Sequence, residues 1–366
     1  MGEERQTSSG LQIVRAFAAM LVVWIHTSFE LEQHGFELGI IHPDDLYWAG
    51  TFGVDLFFVL SGYIITRTAF ITRRQEAGAF LMRRALRILP LYWVLTLLCL
   101  MAALVEPSME ADWPNLLVAL TFWPVWNGAI TFPVLAAGWS LNFEMTFYAA
   151  AAFCLLGGRR MPLLVAGVIA LYALIAASRL LHETPATRML GSGLILEFLA
   201  GVALAGVSRT WRPRPWLGLM LVISGIWTWL QFSSIANLTP FHFDAPKGHE
   251  DFLRAAVFIP PAAAIVIGAL LVEPWARTSW LKPFVYLGDA SYSMYLIHSL
   301  VILLLVRRVF VFAPIGWAQP LALACMCAAI LASIATYEIV ERPLLRAVRI
   351  FGLKAINSEG AASVRT

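Results

Sequence analysis

The chain has 366 residues, of which 60% are hydrophobic and only 13% are charged, and its formal net charge is +3. Soluble domains carry about twice that share of charged residues, so the composition excludes an ordinary soluble protein, and the small net charge gives no indication of nucleic-acid binding. Apolar runs of about 20 residues, the length that crosses a bilayer as a helix, recur along the whole sequence. The sequence therefore predicts an all-α, polytopic transmembrane helical bundle.

Ten strong apolar spans follow one another along the chain. They are predicted near residues 11–31, 48–70, 88–105, 139–157, 161–179, 190–207, 216–235, 253–272, 286–306 and 318–338. Pro343 is expected to end the last helix, because proline cannot donate the helical hydrogen bond. A further apolar segment, 114–138, is interrupted by Pro124 and Pro133. We expect this segment to be re-entrant or interfacial, since non-helical backbone at membrane depth is tolerated only where protein or a cavity covers it.

The charges between the spans predict the orientation, because Lys and Arg concentrate in cytoplasmic loops. With the N-terminus inside, the inner segments hold Arg73, Arg74, Arg83, Arg84, Arg87, Arg159, Arg160, Arg209, Arg212, Arg214, Arg277, Lys282, Arg342, Arg346, Arg349 and Lys354. The outer segments hold the acidic residues Glu32, Glu37, Asp44, Asp45, Glu106, Glu110 and Asp112. Arg307 and Arg308 are the exception to this asymmetry. Both termini are therefore predicted to be cytoplasmic, with an integral membrane domain over 1–357 and a disordered tail over 358–366.

The first span carries two side chains that are unusual inside a membrane, Arg15 and His26. They are eleven residues apart, which on an α-helix places them on one face, about 16 Å apart along the axis. Arg15 alone could anchor the helix at the cytoplasmic surface, where an ion pair with Glu341 or Asp289 is expected, and His26 alone could cap a neighbouring helix. Ionisable residues within a span normally face a protein interior or a water-filled cavity, so the pair on one face favours a functional role.

Two carboxylates in later spans are candidates to act with His26. Asp55 lies in the outer half of the second span, and its alternative role is to pair with a nearby arginine. Glu144 stands between Ser140 and Tyr148 at spacings of four residues, which form one polar stripe on a helix. The predicted depth of Glu144 is close to that of His26, although a structural hydrogen bond would also explain it.

An arginine cluster lies between the second and third spans. Arg83 and Arg87 would share one face of a helix at positions i and i+4, whereas Arg84 points elsewhere and is expected to anchor the helix. The preference of arginine for the cytoplasmic side explains such a cluster without further function. Two planar guanidinium groups on one face also suit phosphate oxygens, so phosphate binding is the functional alternative.

The ninth span places Ser291, Tyr295 and His298 on one helical face, with His298 near the middle of the membrane. A single histidine on such a face is commonly a satisfied interhelical donor. No cysteine pair has metal-ligand spacing, and no metal is predicted. Taken together, the polar groups of these spans suggest a path through the membrane, with basic groups at its cytoplasmic mouth and His26 in its outer half.

Several short motifs, taken in order, resemble one known family. They are Arg15-x10-His26, FFVLSGY at 57–63, Phe80 to Pro90, WSLNFE at 139–144, YSMYLIH at 292–298 and ERP at 341–343. These motifs are similar to those of the membrane acyltransferase 3 family, the polytopic O-acyltransferases of bacterial exopolysaccharides, O-antigens and related surface glycans. The resemblance covers nearly the whole chain.

The resemblance implies an activity and its partners. The donor would be acyl-CoA, usually acetyl-CoA, on the cytoplasmic side of the bacterial inner membrane, and the acceptor would be a hydroxyl of a cell-surface or lipid-linked sugar. No nucleic acid is implied, and membrane lipids surround the protein. The resemblance also implies that Arg15 and His26 are essential, and that the arginine loop of the family corresponds to Arg84 and Arg87, with Arg83 beside them.

The chemistry of acyl transfer agrees with these residues. Transfer from a thioester to a hydroxyl needs a base that titrates near neutral pH, and histidine is the natural choice. A carboxylate, Glu144 or Asp55, would fix its tautomer. The arginine cluster would hold the CoA phosphates, and the polar face of the ninth span would contact the donor further along the path.

Two questions stay open from the sequence. Direct transfer and a relay through an acetylated His26 are both compatible with these residues. A different class of function, a proton-coupled secondary transporter or a flippase of a lipid-linked sugar, would use the same membrane carboxylates, histidine and arginine as a proton relay. No inverted repeat is visible in the sequence to support that alternative.

Overall fold

The computed structural model describes residues 8–36, 38, 49–72, 75–106, 109, 111–126, 128–238 and 250–347. Its helices are α1 (Ser9–Gln33), α2 (Phe52–Ile65), α3 (Ala77–Ala103), α4 (Trp113–Thr121), α5 (Trp139–Leu156), α6 (Met161–Leu181), α7 (Pro185–Leu190), α8 (Leu194–Val207), α9 (Pro215–Leu238), α10 (Glu250–Leu271), α11 (Glu273–Ala276), α12 (Lys282–Asp289), α13 (Ser291–Arg308) and α14 (Ala318–Thr336). Two short strands, β1 (Val125–Trp126) and β2 (Ala129–Ile130), form an antiparallel hairpin. Single π-helical turns extend α2 over Thr66–Thr72 and α14 over Tyr337–Glu341.

Nine helical segments of the described residues are long and apolar enough to cross a membrane. They are α1, α2 with its π-helical turn, α3, α6, α7 together with α8, α9, α10, α13 and α14. The remaining predicted span is α5, an 18-residue helix that carries Ser140, Asn142 and Glu144 and is therefore less apolar. The prediction of a polytopic helical bundle is thus confirmed, and the chain is an integral membrane protein.

The interrupted segment 114–138 does not cross the membrane as a helix, which agrees with the prediction from the sequence. Its helix α4 has nine residues and begins at a capping box in which Asp112 and Asn115 satisfy each other's backbone N–H groups. It ends at Phe122, whose φ of 57° is left-handed, and the β1–β2 hairpin follows. Such short elements cannot cross about 30 Å of hydrocarbon. The segment is therefore a non-spanning connection between α3 and α5.

Two predicted boundaries are wrong, each because of a local contact. The ninth span begins at Ser291 rather than near 286, because α12 is a separate helix that packs on α1: a Cβ on Gly288 would lie 2.1 Å from the carbonyl oxygen of Gln12. Pro343 does not end the last helix, which continues to Ala347. The π-helical turn before Pro343 widens the backbone where proline would otherwise clash with the preceding turn.

Helix α1 lies inside the bundle and packs against α2, α10, α12, α13 and α14. Its N-terminal end meets α11 and α12, and we call that end of the bundle the proximal side. Its C-terminal end meets the last residues of α13, and we call that end the distal side. The tightest crossing elsewhere joins α2 and α8, where a Cβ on Gly62 would lie 2.1 Å from the carbonyl oxygen of Phe198. Gly62 therefore allows α2 and α8 to pack closely, as small residues commonly do between membrane helices.

Glu273 of α11 caps the N-terminus of α1. It accepts hydrogen bonds from the hydroxyl of Ser8 and from the backbone N–H groups of Ser9 (3.1 Å) and Gly10 (2.9 Å). Burial raises the pKa of Glu273, but the hydrogen bonds from Ser8, Gly10 and Arg277 outweigh it and leave that pKa below its ordinary value. A carboxylate at a helix N-terminus is favourable, so this contact fixes the helix that carries Arg15 and His26.

Some residues named from the sequence lie outside the described residues. They are Glu37, Asp44, Asp45, Arg73, Arg74, Glu110, Arg349, Lys354 and the tail 358–366.

Candidate functional site

Two histidines meet between α1 and α13. Nδ1 of His26 lies 3.3 Å from Nε2 of His298, and the ring centroids are 4.8 Å apart at an interplanar angle of 69°. His298 is fully buried, whereas His26 is partly exposed. The sequence placed the two residues separately, one as a base and the other as a donor contact, and the structure brings them together.

The hydrogen bonds of the two rings determine which nitrogen of each is basic. Nδ1 of His298 donates to the carbonyl of Met294 (3.0 Å), so the neutral ring keeps a lone pair on Nε2. Nδ1 of His26 donates to the carbonyl of Val22 (2.9 Å) and faces that lone pair as a second acceptor. Neutral His26 therefore keeps its own lone pair on Nε2. A proton accepted there gives an imidazolium that both Val22 and His298 stabilise through Nδ1–H.

A group of charges surrounds Arg15 on the proximal side. The charges that act on it belong to Arg87, Glu341, Asp289 and Glu144. Arg15 makes no direct ion pair with any residue that the structure describes, so the expected contact with Glu341 or Asp289 is not formed. The three acids and one arginine around it belong to α3, α5, α12 and the end of α14, so charged side chains from four elements meet at this point.

Hydrogen bonds hold two of these carboxylates in place. The amide of Gln12 donates to Asp289 (2.5 Å), and the hydroxyl of Ser293 donates to Glu341 (2.6 Å). Burial raises the pKa of Asp289 above its ordinary value, even though the charges of Arg15 and Arg87 lower it. The proximal group is therefore built from fixed side chains rather than from mobile surface charges.

Polar side chains of α5 continue from the proximal group toward the histidines. Glu144 accepts hydrogen bonds from Tyr148 and, at 3.3 Å, from Ser61 of α2. One turn further, Ser140 shares a 2.7 Å hydrogen bond with the hydroxyl of Tyr295. The stripe of Ser140, Glu144 and Tyr148 expected from the sequence is thus present on one side of α5.

The polar face of α13 completes this path. The ring centroid of Tyr295 lies 6.2 Å from that of His298. The hydroxyl of Ser291 is buried and has no hydrogen-bond partner among the described residues, and the hydroxyl of Tyr292 donates to the carbonyl of Ile88 (2.8 Å). The path from Arg15 to His26 therefore has hydroxyl groups from two helices along it.

The arginine cluster is oriented differently from the sequence prediction. Arg84, expected to point elsewhere, lies over the ring of Tyr148 (5.7 Å to the centroid) and donates to Thr68 (3.3 Å). The charges of Arg84 and Arg87 both act on Tyr148. Arg83 is exposed and donates to Gln75 (2.6 Å). Arg84 and Arg87 thus face the polar path, because their side of α3 packs against α5, and Arg83 lies on another side.

Asp55 is bound by an arginine that the sequence analysis did not single out. Arg254 of α10 forms a fork with it, Nε to Oδ1 at 3.1 Å and Nη2 to Oδ2 at 2.6 Å. Both side chains are almost fully buried, and Arg254 also donates to Thr51 (3.0 Å). The carboxyl group of Glu197 on α8 lies next to this pair. Asp55 is therefore paired with a nearby arginine, which was the alternative to a role beside His26.

The structure gives neither carboxylate candidate as a contact of His26. Glu144 binds Tyr148 and Ser61, and Asp55 binds Arg254. The role of Glu144 as the carboxylate of His26 stays a prediction. The residues that the sequence analysis missed include Arg254, and the available signal was a basic residue within the eighth apolar span. Within the described residues, no group of three or more His, Cys, Asp or Glu could hold a metal ion.

Comparisons with known proteins point to one family. The model of the family described as "Acyltransferase domain" matches residues 8–338. The chain is 34% identical over 309 residues to the exopolysaccharide production protein ExoZ of Rhizobium meliloti (strain 1021), a match that covers 81% of this chain and 90% of that protein. It is 26% identical to the acyltransferase MdmB of Streptomyces mycarofaciens, over 91% of this chain and 90% of that protein.

A third relative is longer than this chain. The O-acetyltransferase OatA of Staphylococcus aureus (strain NCTC 8325 / PS 47) is 24% identical, over 79% of this chain and 49% of that protein. No solved structure matches the chain.

Proposed function

The chain belongs to the acyltransferase family whose model covers residues 8–338 and is therefore an acyltransferase, and we propose that it moves an acetyl group from cytoplasmic acetyl-CoA to a hydroxyl of a cell-surface or lipid-linked sugar. The observation that carries this proposal is the His26–His298 contact, which leaves Nε2 of His26 basic at the end of a polar path from the proximal arginines. The names of the relatives support it, since ExoZ is a protein of exopolysaccharide production and OatA is an O-acetyltransferase.

The proximal side would face the bacterial cytoplasm, with the protein in the inner membrane and both termini inside. Arg84 and Arg87 would bind the CoA phosphates, because guanidinium groups form strong charge-assisted bonds with phosphate oxygens. Arg83, which the resemblance also places at the donor, would act from the edge of this site. The pantetheine arm would then pass Arg15 and lie beside Ser291 and Tyr295, which brings the thioester to the histidines.

His26 would act as the general base of a direct transfer. Its Nε2 takes the proton of the sugar hydroxyl while that oxygen attacks the thioester carbonyl, the carbon–sulfur bond breaks, and CoA leaves as a thiolate that recovers the proton from His26. His298 would hold the reactive tautomer and stabilise the imidazolium through its own Nε2, a role that a carboxylate plays in other acyl-transfer sites. In a relay, the same Nε2 would instead carry the acetyl group between two such steps.

Donor-dependent label transfer tests this function. The purified protein in proteoliposomes, given acetyl-CoA labelled in the acetyl group and a lipid-linked glycan, is expected to release free CoA and to label the glycan in equal amounts. A transporter or flippase would move the glycan across the bilayer with no consumption of donor. Movement without donor consumption would overturn the proposal, and label that remains on the protein after denaturation would favour the relay over direct transfer.

The donor site predicts a specific loss of affinity. Replacement of Arg84 or Arg87 by glutamine removes a charge-assisted hydrogen bond to phosphate, worth roughly 1.5–3 kcal/mol, so the Kd of acetyl-CoA is expected to rise about 10- to 150-fold. Lysine should restore only part of the affinity, because it keeps the charge but loses the planar fork. The measurement is acetyl-CoA binding to folded, purified variants.

A control and a comparison accompany this test. Arg277→Gln removes an exposed arginine on the proximal side that pairs with Glu273, and donor affinity should not change. Arg83→Gln should have a smaller effect than Arg87→Gln, because Arg83 is exposed and hydrogen-bonded to Gln75. Unchanged affinity in both Arg84→Gln and Arg87→Gln would refute the assignment of the donor site.

A further inference from the structure

Four charged residues at the distal side form one cluster, which we call the distal ion cluster: Glu30, Glu106, Arg307 and Arg308. Nε of Arg307 donates to Oε1 of Glu30 at 2.6 Å, and Nη1 of Arg307 lies 3.7 Å from Oε1 of Glu106. Nη2 of Arg308 lies 3.0 Å from Oε2 of Glu106. Two acids therefore balance two bases within a single set of contacts.

This cluster explains the exception in the charge pattern. Arg307 and Arg308 are two adjacent arginines on the predicted outer side, whereas most basic residues lie on the predicted inner side. Both carboxylates are buried, each with 8% of its surface exposed, and buried charges need partners because desolvation is costly. The two arginines are thus explained by their ion pairs with Glu30 and Glu106, and they do not contradict the predicted orientation of the chain in the membrane.

The cluster joins the two helices that carry the histidines. Glu30 stands four residues after His26 on α1, and Arg307 stands nine residues after His298 on α13. The Glu30–Arg307 ion pair therefore lies about one helical turn, roughly 6 Å, beyond the histidine contact along α1. Glu106, which lies three residues after the end of α3, contacts both arginines of the cluster. The negative charge of Glu30 also interacts electrostatically with the ring of His26.

We propose that the Glu30–Arg307 ion pair is a positioning pair for acyl transfer, which holds α1 and α13 in the register that brings Nδ1 of His26 onto Nε2 of His298. This inference rests on the proposed role of His26. A 3.3 Å contact between two ring nitrogens is lost by a helix displacement of about one residue rise, 1.5 Å. The ion pair resists that displacement because its own 2.6 Å contact would have to break first.

A double-mutant cycle of kinetic constants tests the proposal. Glu30→Gln, Arg307→Gln and the double variant should each lower kcat by about 10²-fold, the usual loss for a displacement near 1 Å, and should leave the KM of acetyl-CoA within about threefold of the unmodified protein. Because the pair acts as one unit, the double variant should lose no more than either single variant. Arg307→Lys, which keeps the charge of the cluster, should recover most of kcat.

The control cycle uses Glu183 and Arg188. This pair also joins neighbouring segments at the distal side, and Arg188 has a side-chain exposure of 24% against 21% for Arg307. Glu183→Gln and Arg188→Gln are expected to leave kcat unchanged. The comparison separates the loss of an ion pair in general from the loss of this one.

Two outcomes would overturn the proposal. One is a kcat within about threefold of the unmodified protein in Glu30→Gln and Arg307→Gln, which would leave the base assignment intact if His26→Ala is inactive. The other is a normal kcat per folded molecule together with a lower melting temperature, which would make the pair structural only. If Arg307→Gln does not fold, Arg307→Lys provides the test instead. A positioning role requires the lysine variant to be partly active with an unchanged KM of acetyl-CoA.

Discussion

Replacement of His26 by alanine is expected to lower the turnover of acetyl transfer by about 10²- to 10⁴-fold, the usual contribution of a general base. The reason is that Nε2 of His26 is the basic nitrogen left by the hydrogen bonds to Val22 and His298. The Kd of acetyl-CoA should not change, because the donor phosphates would bind on the proximal side, about 16 Å away along α1. The measurements are kcat and donor affinity of the purified variant.

His34→Ala is the matched control for this prediction. His34 follows the last residue of α1, and its Nδ1 donates to the carbonyl of Glu30 at 2.8 Å, the same i−4 geometry that His26 has with Val22. A general effect of removing an imidazole from α1 would appear in both variants. Near-normal turnover in His26→Ala, with or without the control, would remove His26 from the mechanism.

The sequence identified His26 but could not identify its neighbour. Helical spacing fixes which residues of one helix share a face, so the pairing of Arg15 with His26 on α1 could be derived directly. The contact of His26 with His298 depends on the choice of α13 as the neighbour of α1, and the two residues are 272 positions apart. A single sequence contains no information about that choice, and depth alone pointed to Glu144.

The arginine cluster shows the same limit within one helix. Spacing paired Arg83 with Arg87, whereas the structure places Arg84 and Arg87 at Tyr148 and leaves Arg83 on another side. Spacing alone does not say which side of α3 meets the bundle. The answer lies in Tyr148 of α5, over whose ring Arg84 stacks. The functional side of a helix is therefore decided by its neighbour, and the expectation for Arg84 was wrong for that reason.

The spans were predictable because apolar length is a property of the sequence itself. Segment 114–138 was recognised for the same reason, since prolines interrupt its apolar run. The errors occurred where contacts between elements decide a boundary: Gly288 lets α12 pack on α1 as a separate helix, and a π-helical turn carries the last helix past Pro343. Neither contact has a signature in local composition.

Removal of one partner of the Asp55–Arg254 pair is expected to cause the largest loss of stability in the chain. Asp55→Leu leaves the guanidinium of Arg254 buried without its fork, and breaking a buried ion pair in this way costs about 3–5 kcal/mol. Arg254→Met should cost a similar amount, because it leaves Asp55 and the neighbouring Glu197 without the positive charge of Arg254. The measurement is unfolding of the purified variants in mixed micelles.

The double variant Asp55→Leu/Arg254→Met separates the structural role of the pair from a catalytic one. Replacement of both partners by apolar side chains is often neutral or stabilising, so the double variant should recover most of the stability that each single variant loses. Asp55 and Arg254 are joined by two hydrogen bonds, so their effects should be strongly non-additive.

Turnover of the folded double variant then decides the role of Asp55. Asp55 contacts Arg254, and no contact with His26 joins it to the histidine pair in the described residues, so we expect kcat within a few-fold of the unmodified protein. If Asp55 instead supplied the carboxylate of His26, kcat would fall by about 10²-fold or more even in the well-folded double variant. A stable but inactive double variant would thus return Asp55 to the catalytic site and leave its ion pair with Arg254 as the device that holds it there.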